Sequence, residues 1–261
     1  MQSSSPEAAA YDRWAEYYDL LDADRAPFIE FYNSLVNQDT KSVLELGCGT
    51  GTISIAMASH LAPLRGAAAQ ARFVGVDGSE GMLNIARSRD AGIQWLFGDI
   101  RNPPVEGPFD FVFCCFNTLQ HLLLDHDIVQ AFVAARELLA PSGLYAFDLY
   151  QPSPAWLAAE QQNRLARSVV DPGGRRLEIR EDMRYDPSTR IVDLNWRLVN
   201  ADRPDQEPLA STSYRLRQHF ADDLMRQIAQ AGLVVHSRYG DFDKSEFSPQ
   251  SRKQILVCGR A

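Results

Sequence analysis

The 261-residue sequence has little cysteine, no long hydrophobic run, no excess of basic charge and no internal repeat, and each shortage removes a class of protein. Its four cysteines, Cys48, Cys114, Cys115 and Cys258, show no metal-ligand spacing. The adjacent pair cannot staple distant elements, so reduced thiols and no metal site are expected. No segment is apolar over the roughly 18 residues a membrane helix requires. Met1 to Ala10 has neither a basic n-region nor an apolar stretch of secretory length, and reads as frayed. A cytoplasmic protein without a membrane partner is expected. Acidic residues outnumber basic ones by 34 to 26, a net charge of −8, which disfavours a nucleic-acid partner. Arginines do gather at Arg164, Arg167, Arg175, Arg176 and Arg180, but Glu178, Glu181 and Asp182 interleave with them as on a solvated face.

Hydrophobic residues, at 45%, suffice for a sizeable core. Tyr11 to Val36 mixes aromatics and charges at helical spacing, a helical cap over residues 1–40. The run Ser42 to Leu46 then ends in Gly47-Cys48-Gly49-Thr50-Gly51, followed by a helix over Ile53 to Leu61. Short apolar strands (Phe73 to Val76, Ile93 to Phe97, Phe109 to Phe113, Leu144 to Phe147) alternate with helices (Ser79 to Arg87, Ile128 to Leu139). Pro141-Ser142-Gly143 marks the break before the last of these strands. This alternation predicts an α/β fold, a doubly wound parallel sheet covered on both faces. Beyond Pro154 the period becomes two in Arg176 to Tyr185, Arg190 to Val199 and Ser211 to Phe220, which predicts a three-stranded antiparallel β lid inserted over residues 156–220. Helix Ala221 to Ala231 and strands Leu233 to Tyr239 and Gln254 to Gly259 return to the core, which spans 41–155 and 221–261.

Three glycines at alternate positions between a strand and a helix point to a ligand lying against the backbone, where a Cβ would clash. Thr52 stands where a dinucleotide fingerprint needs its third glycine, which weakens a nicotinamide-type oxidoreductase reading. Asp77 ends the second strand at the carboxyl edge, where open sheets bind ligands, and either accepts ribose hydroxyls or caps the next helix. Asp99 and Ile100 after the third strand offer an acid beside an apolar face suited to adenine, and Met82 is placed to close the other ring face.

Together Glu45 to Gly51, Val74 to Met82, Gly98-Asp99, Phe109-Asp110 and Leu138 to Phe147 resemble the class I S-adenosylmethionine-dependent methyltransferases over roughly residues 40–150. The resemblance implies a seven-stranded Rossmann-like sheet and S-adenosylmethionine as cofactor. It puts Gly47, Gly49 and Gly51, with Glu45 and Cys48, at the methionine part, Asp77 and Gly78 at ribose, and Met82, Asp99 and Ile100 at adenine. Cys115 and Phe116 would line the methyl side. Tyr11 to Asp19 is similar to the Tyr-Asp-rich entry helix of small-molecule members, which implies Tyr18 over the sulfonium and Arg25 either on the cofactor carboxylate or exposed. The lid layout resembles sugar N,N-dimethyltransferases and glycine-type N-methyltransferases, where such a sheet covers a small-molecule substrate and can join a homodimer.

Methyl transfer from a sulfonium is an in-line displacement, so alignment and water exclusion dominate and a base serves only a protonated nucleophile. His121, in the segment after the fourth strand, is the first candidate base or orienter. Tyr18 and Tyr150 join it as catalytic candidates. Tyr17, Asn117, Tyr150, Tyr185 and Trp196 are candidates to hold the substrate beside His121. No Asn-Pro-Pro-Tyr motif follows that strand, which leaves methylation of base or glutamine amines unsupported. Nitrogen leads oxygen as acceptor on the lid likeness alone, and a non-catalytic cofactor-binding module is the remaining alternative.

Overall fold

The structure is a computed structural model, which describes residues 10–20, 25–65 and 71–261. The fray expected over residues 1–10 falls, apart from Ala10, outside the described residues. Two short helices, α1 (Ala15–Tyr18) and α2 (Ala26–Asn33), lead into the core. There β1 (Ser42–Leu46), α3 (Thr52–Arg65), β2 (Arg72–Asp77), α4 (Glu80–Arg89), β3 (Gln94–Phe97), β4 (Phe109–Cys114), α5 (Asp125–Leu138) and β5 (Leu139–Tyr150) alternate. A short helix, α6 (Pro154–Leu157), precedes the lid strands β6 (Gln161–Val170), β7 (Arg176–Asp186), β8 (Ile191–Asn200) and β9 (Ala210–Arg217), after which α7 (Ala221–Gln230), β10 (Leu233–Tyr239) and β11 (Lys253–Arg260) complete the fold.

The seven-stranded sheet has the order β3-β2-β1-β4-β5-β11-β10, with β11 antiparallel to both neighbours. Alternation along each strand sends side chains to two layers. Leu44, Leu46, Val74, Val76, Val112 and Cys114 pack with α5 and α7 residues such as Phe132 and Leu224. Val43, Phe73, Phe111 and Phe113 pack with Tyr32 of α2, Met57 of α3 and Leu83 of α4. Full burial of each large side chain contributes about 1.5–3 kcal/mol. Strand order reverses between β1 and β4, the switch point at whose carboxyl edge such sheets bind ligands.

Two expectations are corrected. Pro141-Ser142-Gly143 does not separate α5 from its strand: β5 starts at Leu139, and the pairing jumps from Phe109↔Leu139 to Phe111↔Leu144, so the three residues form a bulge within the strand. Proline lacks the N–H that a regular ladder needs there. The lid has four antiparallel strands rather than three, in the order β6-β7-β8-β9. The missed strand, β6, is an edge strand whose residues are mostly exposed, so its sequence lacks the alternation of a half-buried strand. Residues 10–20 form a strap between lid and core: Trp14, 1% exposed, packs on Leu177, Ile179 and Leu198 of the lid. Among the described residues no helix is long and apolar enough to cross a membrane.

Candidate cofactor and acceptor site

The turn after β1 holds Gly47, Gly49 and Gly51 at φ values of +79°, +51° and +78°. A Cβ on Gly47 would collide with Thr118 and one on Gly51 with Trp95, so the chain itself demands glycine at both. A Cβ on Gly49 would meet only the Tyr18 ring, at 3.9 Å, which leaves a cradle in front of the turn that a side chain would fill. The Gly49 N–H donates to Asp77 Oδ2 at 2.8 Å and the Ser79 N–H to Oδ1 at 2.8 Å. Asp77 therefore ties two loops together while each oxygen retains a lone pair for a hydroxyl donor. Burial pushes its carboxyl up, against the lowering effect of these bonds. Ser79, not Asp77, caps α4, its Oγ accepting the Met82 N–H at 3.2 Å.

The strap crosses this turn on two carboxylates. Asp12 Oδ1 accepts from Ser79 Oγ at 2.5 Å and from the Gly81 N–H at 2.9 Å. Asp19 accepts from Thr50 Oγ1 at 2.9 Å and pairs with Arg25 at 2.8 Å and with Arg89. Arg25 is buried, its guanidinium 5.3 Å from both the Tyr18 and the Phe116 rings, and its Nε–H has no hydrogen-bond partner among the described residues. An orphaned buried donor beside a glycine cradle suits the carboxylate of an amino-acid-bearing cofactor.

Known proteins share this fold. Residues 43–143 match a methyltransferase domain family. The chain is 29% identical to the cypemycin N-terminal methyltransferase of Streptomyces over 97% of this chain and 99% of the relative. The CcbJ methyltransferase of Streptomyces caelestis superposes with a TM-score of 0.79 and 25% identity, covering 98% of this chain and 99% of that one. The sugar N-methyltransferase KedS8 of Streptoalloteichus shares the fold at a TM-score of 0.71 and 19% identity, over 95% and 92% of the two chains. The chain is an S-adenosylmethionine-dependent methyltransferase, similar over residues 43–143 to the methyltransferase domain family.

In this methyltransferase the residues expected at adenine are already engaged. Asp99 forms a bidentate ion pair with Arg101, which also reaches Asp127 at 2.7 Å, and Arg101 holds the Asp99 carboxyl below its usual range against partial burial. Ile100 and Met82 are buried, and Gly78 is half-buried in the turn before α4. Glu45 points into the layer beneath α3, where its Oε2 accepts from the Ser54 hydroxyl at 2.5 Å and from the Ser54 N–H at 3.2 Å. The Cys115 thiol donates to Oε1 at 3.2 Å, and burial raises the Glu45 carboxyl to about 7. The Cys48 thiol is buried and pushed well up by that burial.

On the acceptor side His121 ends a 3₁₀ turn, Thr118–His121, and its Nε2 lies 3.0 Å from the Tyr11 hydroxyl. Tyr11 and Tyr214 stack at 5.8 Å, Tyr214 meets His121 at 5.9 Å and Trp196 at 5.2 Å, and Trp196 Nε1 donates to buried Glu181 at 2.7 Å. Tyr17 packs on Trp14 nearby. Tyr185 belongs to the lid cluster of Met183, Val192 and Leu194, and Tyr150, 51% exposed, covers Lys253 at 4.0 Å with Asn117 on the same ammonium. Tyr11, Tyr214, Asp148 and Lys253 were not among the expected site residues. Tyr11 lay inside the quoted entry motif, and Tyr214 at an alternating lid position, so both carried a signal.

Proposed function

We propose that this methyltransferase transfers a methyl group to a nitrogen of a small secondary metabolite held between the strap, the Cys115–His121 segment and the lid. The observation that carries the reading is the set of aromatic faces of Tyr11, His121, Trp196 and Tyr214, which meet around the Tyr11–His121 hydrogen bond. Such faces attract cationic groups, and a protonated amine is one. The cypemycin relative is named an N-terminal methyltransferase and KedS8 a sugar N-methyltransferase, which supports nitrogen over oxygen.

Bound S-adenosylmethionine supplies an electrophilic methyl carbon on sulfur. The chain's own work is to align the nucleophile, exclude water and remove a proton. Tyr18 beside Gly49 and the Nε–H of Arg25 hold the methionine end, while Asp77 offers its remaining lone pairs to the ribose. An ammonium has no lone pair to attack with, so its proton leaves first. The Tyr11 oxygen accepts it while the Tyr11 O–H proton passes to His121 Nε2, 3.0 Å away. Burial raises the Tyr11 phenol far above its ordinary value, so the phenol stays neutral between transfers and imidazole stores the charge.

The test is mass spectrometry of the enzyme with S-adenosylmethionine and paired small molecules, each amine beside its N-acetylated form. Methylation of the amines alone supports nitrogen; methylated N-acetyl compounds carrying the group on oxygen overturn it. His121→Ala should lower turnover by about 10²–10⁴-fold with unchanged affinity for S-adenosylhomocysteine. Full activity in that variant removes His121 from the proton path.

A further inference from the structure

The chain leaving β4 carries two consecutive non-glycine residues in the left-handed region, Phe116 at φ +55° and Asn117 at +61°. Side chains resist that conformation, so the surroundings must impose it. Asp148, at the carboxyl end of β5, does so directly: its Oδ1 accepts the Phe116 N–H at 3.0 Å and the Tyr32 hydroxyl at 2.9 Å. Its Oδ2 binds Lys253 Nζ at 3.0 Å, and the same ammonium donates to Asn117 Oδ1 at 3.2 Å. One carboxylate thus grips the main chain of residue 116 and, through one lysine, the side chain of residue 117.

Both charges are sealed from water, Asp148 at 0% and Lys253 at 6% exposure. The rings of Tyr150, Phe28 and Phe242 surround the ammonium at 4.0, 5.4 and 5.6 Å. A buried ion pair is a poor way to fill a core, since apolar residues of similar size often serve as well. This one meets the two strained residues from which the Thr118–His121 turn departs. Phe116 also stacks on Phe28 at 4.3 Å and lies 5.3 Å from the Arg25 guanidinium.

We infer that Asp148 and Lys253 are positioning residues for methyl transfer, steadying Arg25 through Phe116 and setting His121 through Asn117. The inference rests on the roles proposed above for Arg25 and His121.

Lys253→Met drops the ammonium and retains an apolar stem, whereas Lys253→Arg restores a cation. Calorimetry with S-adenosylhomocysteine and NMR of the His121 ring read the two arms, with thermal unfolding reporting the fold. The Met variant should bind S-adenosylhomocysteine roughly fivefold more weakly, the scale of coupling between touching groups, with displaced His121 resonances. Arg should bring the affinity back to within about twofold of the parent and return the His121 resonances to their parent positions. Unchanged affinity in the Met variant overturns the Phe116 arm, and unmoved His121 signals overturn the Asn117 arm. Should the Met variant fail to fold, Asp148→Asn, which retains an acceptor for Tyr32 and Phe116, is read in the same way. His121→Ala with full turnover would instead sink the functional reading and leave the displaced resonances of Lys253→Met standing.

Discussion

Asp77 accepts two backbone N–H groups from separate loops, so its carboxylate shapes the cradle as well as offering oxygens to a ligand. Asp77→Ala should weaken S-adenosylhomocysteine binding by the loss of charge-assisted hydrogen bonds, roughly 1.5–3 kcal/mol, and should also lower the melting temperature. Asp77→Asn retains one acceptor and should fall between the two. An unchanged dissociation constant in the Ala variant would remove Asp77 from the ribose. At this scale the sequence was informative where the chemistry is local. Gly47 to Gly51 and Asp77 sit at strand ends whose period is plain. Asp148 and Lys253 are 105 positions apart and meet because β5 and β11 are neighbours, which no local pattern announces. Asp99 was legible as an acid in a turn, but its pairing with Arg101 two residues on was not.

The glycine turn separates folding from binding as an element. Gly51→Ala must displace Trp95 and hold a side chain at φ +78°, so its main effect should be on stability, by about 1–3 kcal/mol. Gly49→Ala meets open space apart from Tyr18, so its stability loss should be the smaller, while S-adenosylhomocysteine affinity should fall most. Unfolding curves and calorimetry on both variants check the inversion; equal ranking in the two assays would mean that Gly49 faces no ligand. The cap of α4 is a second element-scale joint. Ser79→Ala should cost about 1 kcal/mol from the lost cap and also loosen Asp12 of the strap, since one hydroxyl serves both. Elements with a buried stripe were legible from their period. Edge strand β6, with few buried residues, and the bulge in β5, which depends on pairing to β4, were set by tertiary neighbours.

Two buried titratable groups give the whole molecule opposing pH responses. Burial raises Glu45 from 4.5 to about 7, so the folded state holds a proton that the unfolded chain has lost. Its contribution is full below pH 4.5 and declines as pH rises to about 7, by about 3 kcal/mol at most. His219, 2% exposed in the link between β9 and α7, is lowered from 6.5 to about 4 by burial and by Arg217. The unfolded chain takes up a proton there first, so its contribution is full above pH 6.5 and is lost as pH falls towards 4, again by about 3 kcal/mol at most. The windows overlap between about pH 4.5 and 6.5, where the slopes have opposite sign and largely cancel. Stability of the parent should therefore vary little there from these two groups, and single variants should expose each slope. Glu45→Gln should grow more stable relative to the parent as pH rises from 4.5 to 7, because it discards the falling term. His219→Gln should lose ground over pH 4 to 6.5, because it discards the rising one. Denaturant midpoints across this range decide the matter: a Glu45→Gln curve parallel to the parent's would mean that the Glu45 carboxyl, although held by Ser54 and Cys115, titrates alike in the folded and unfolded chains.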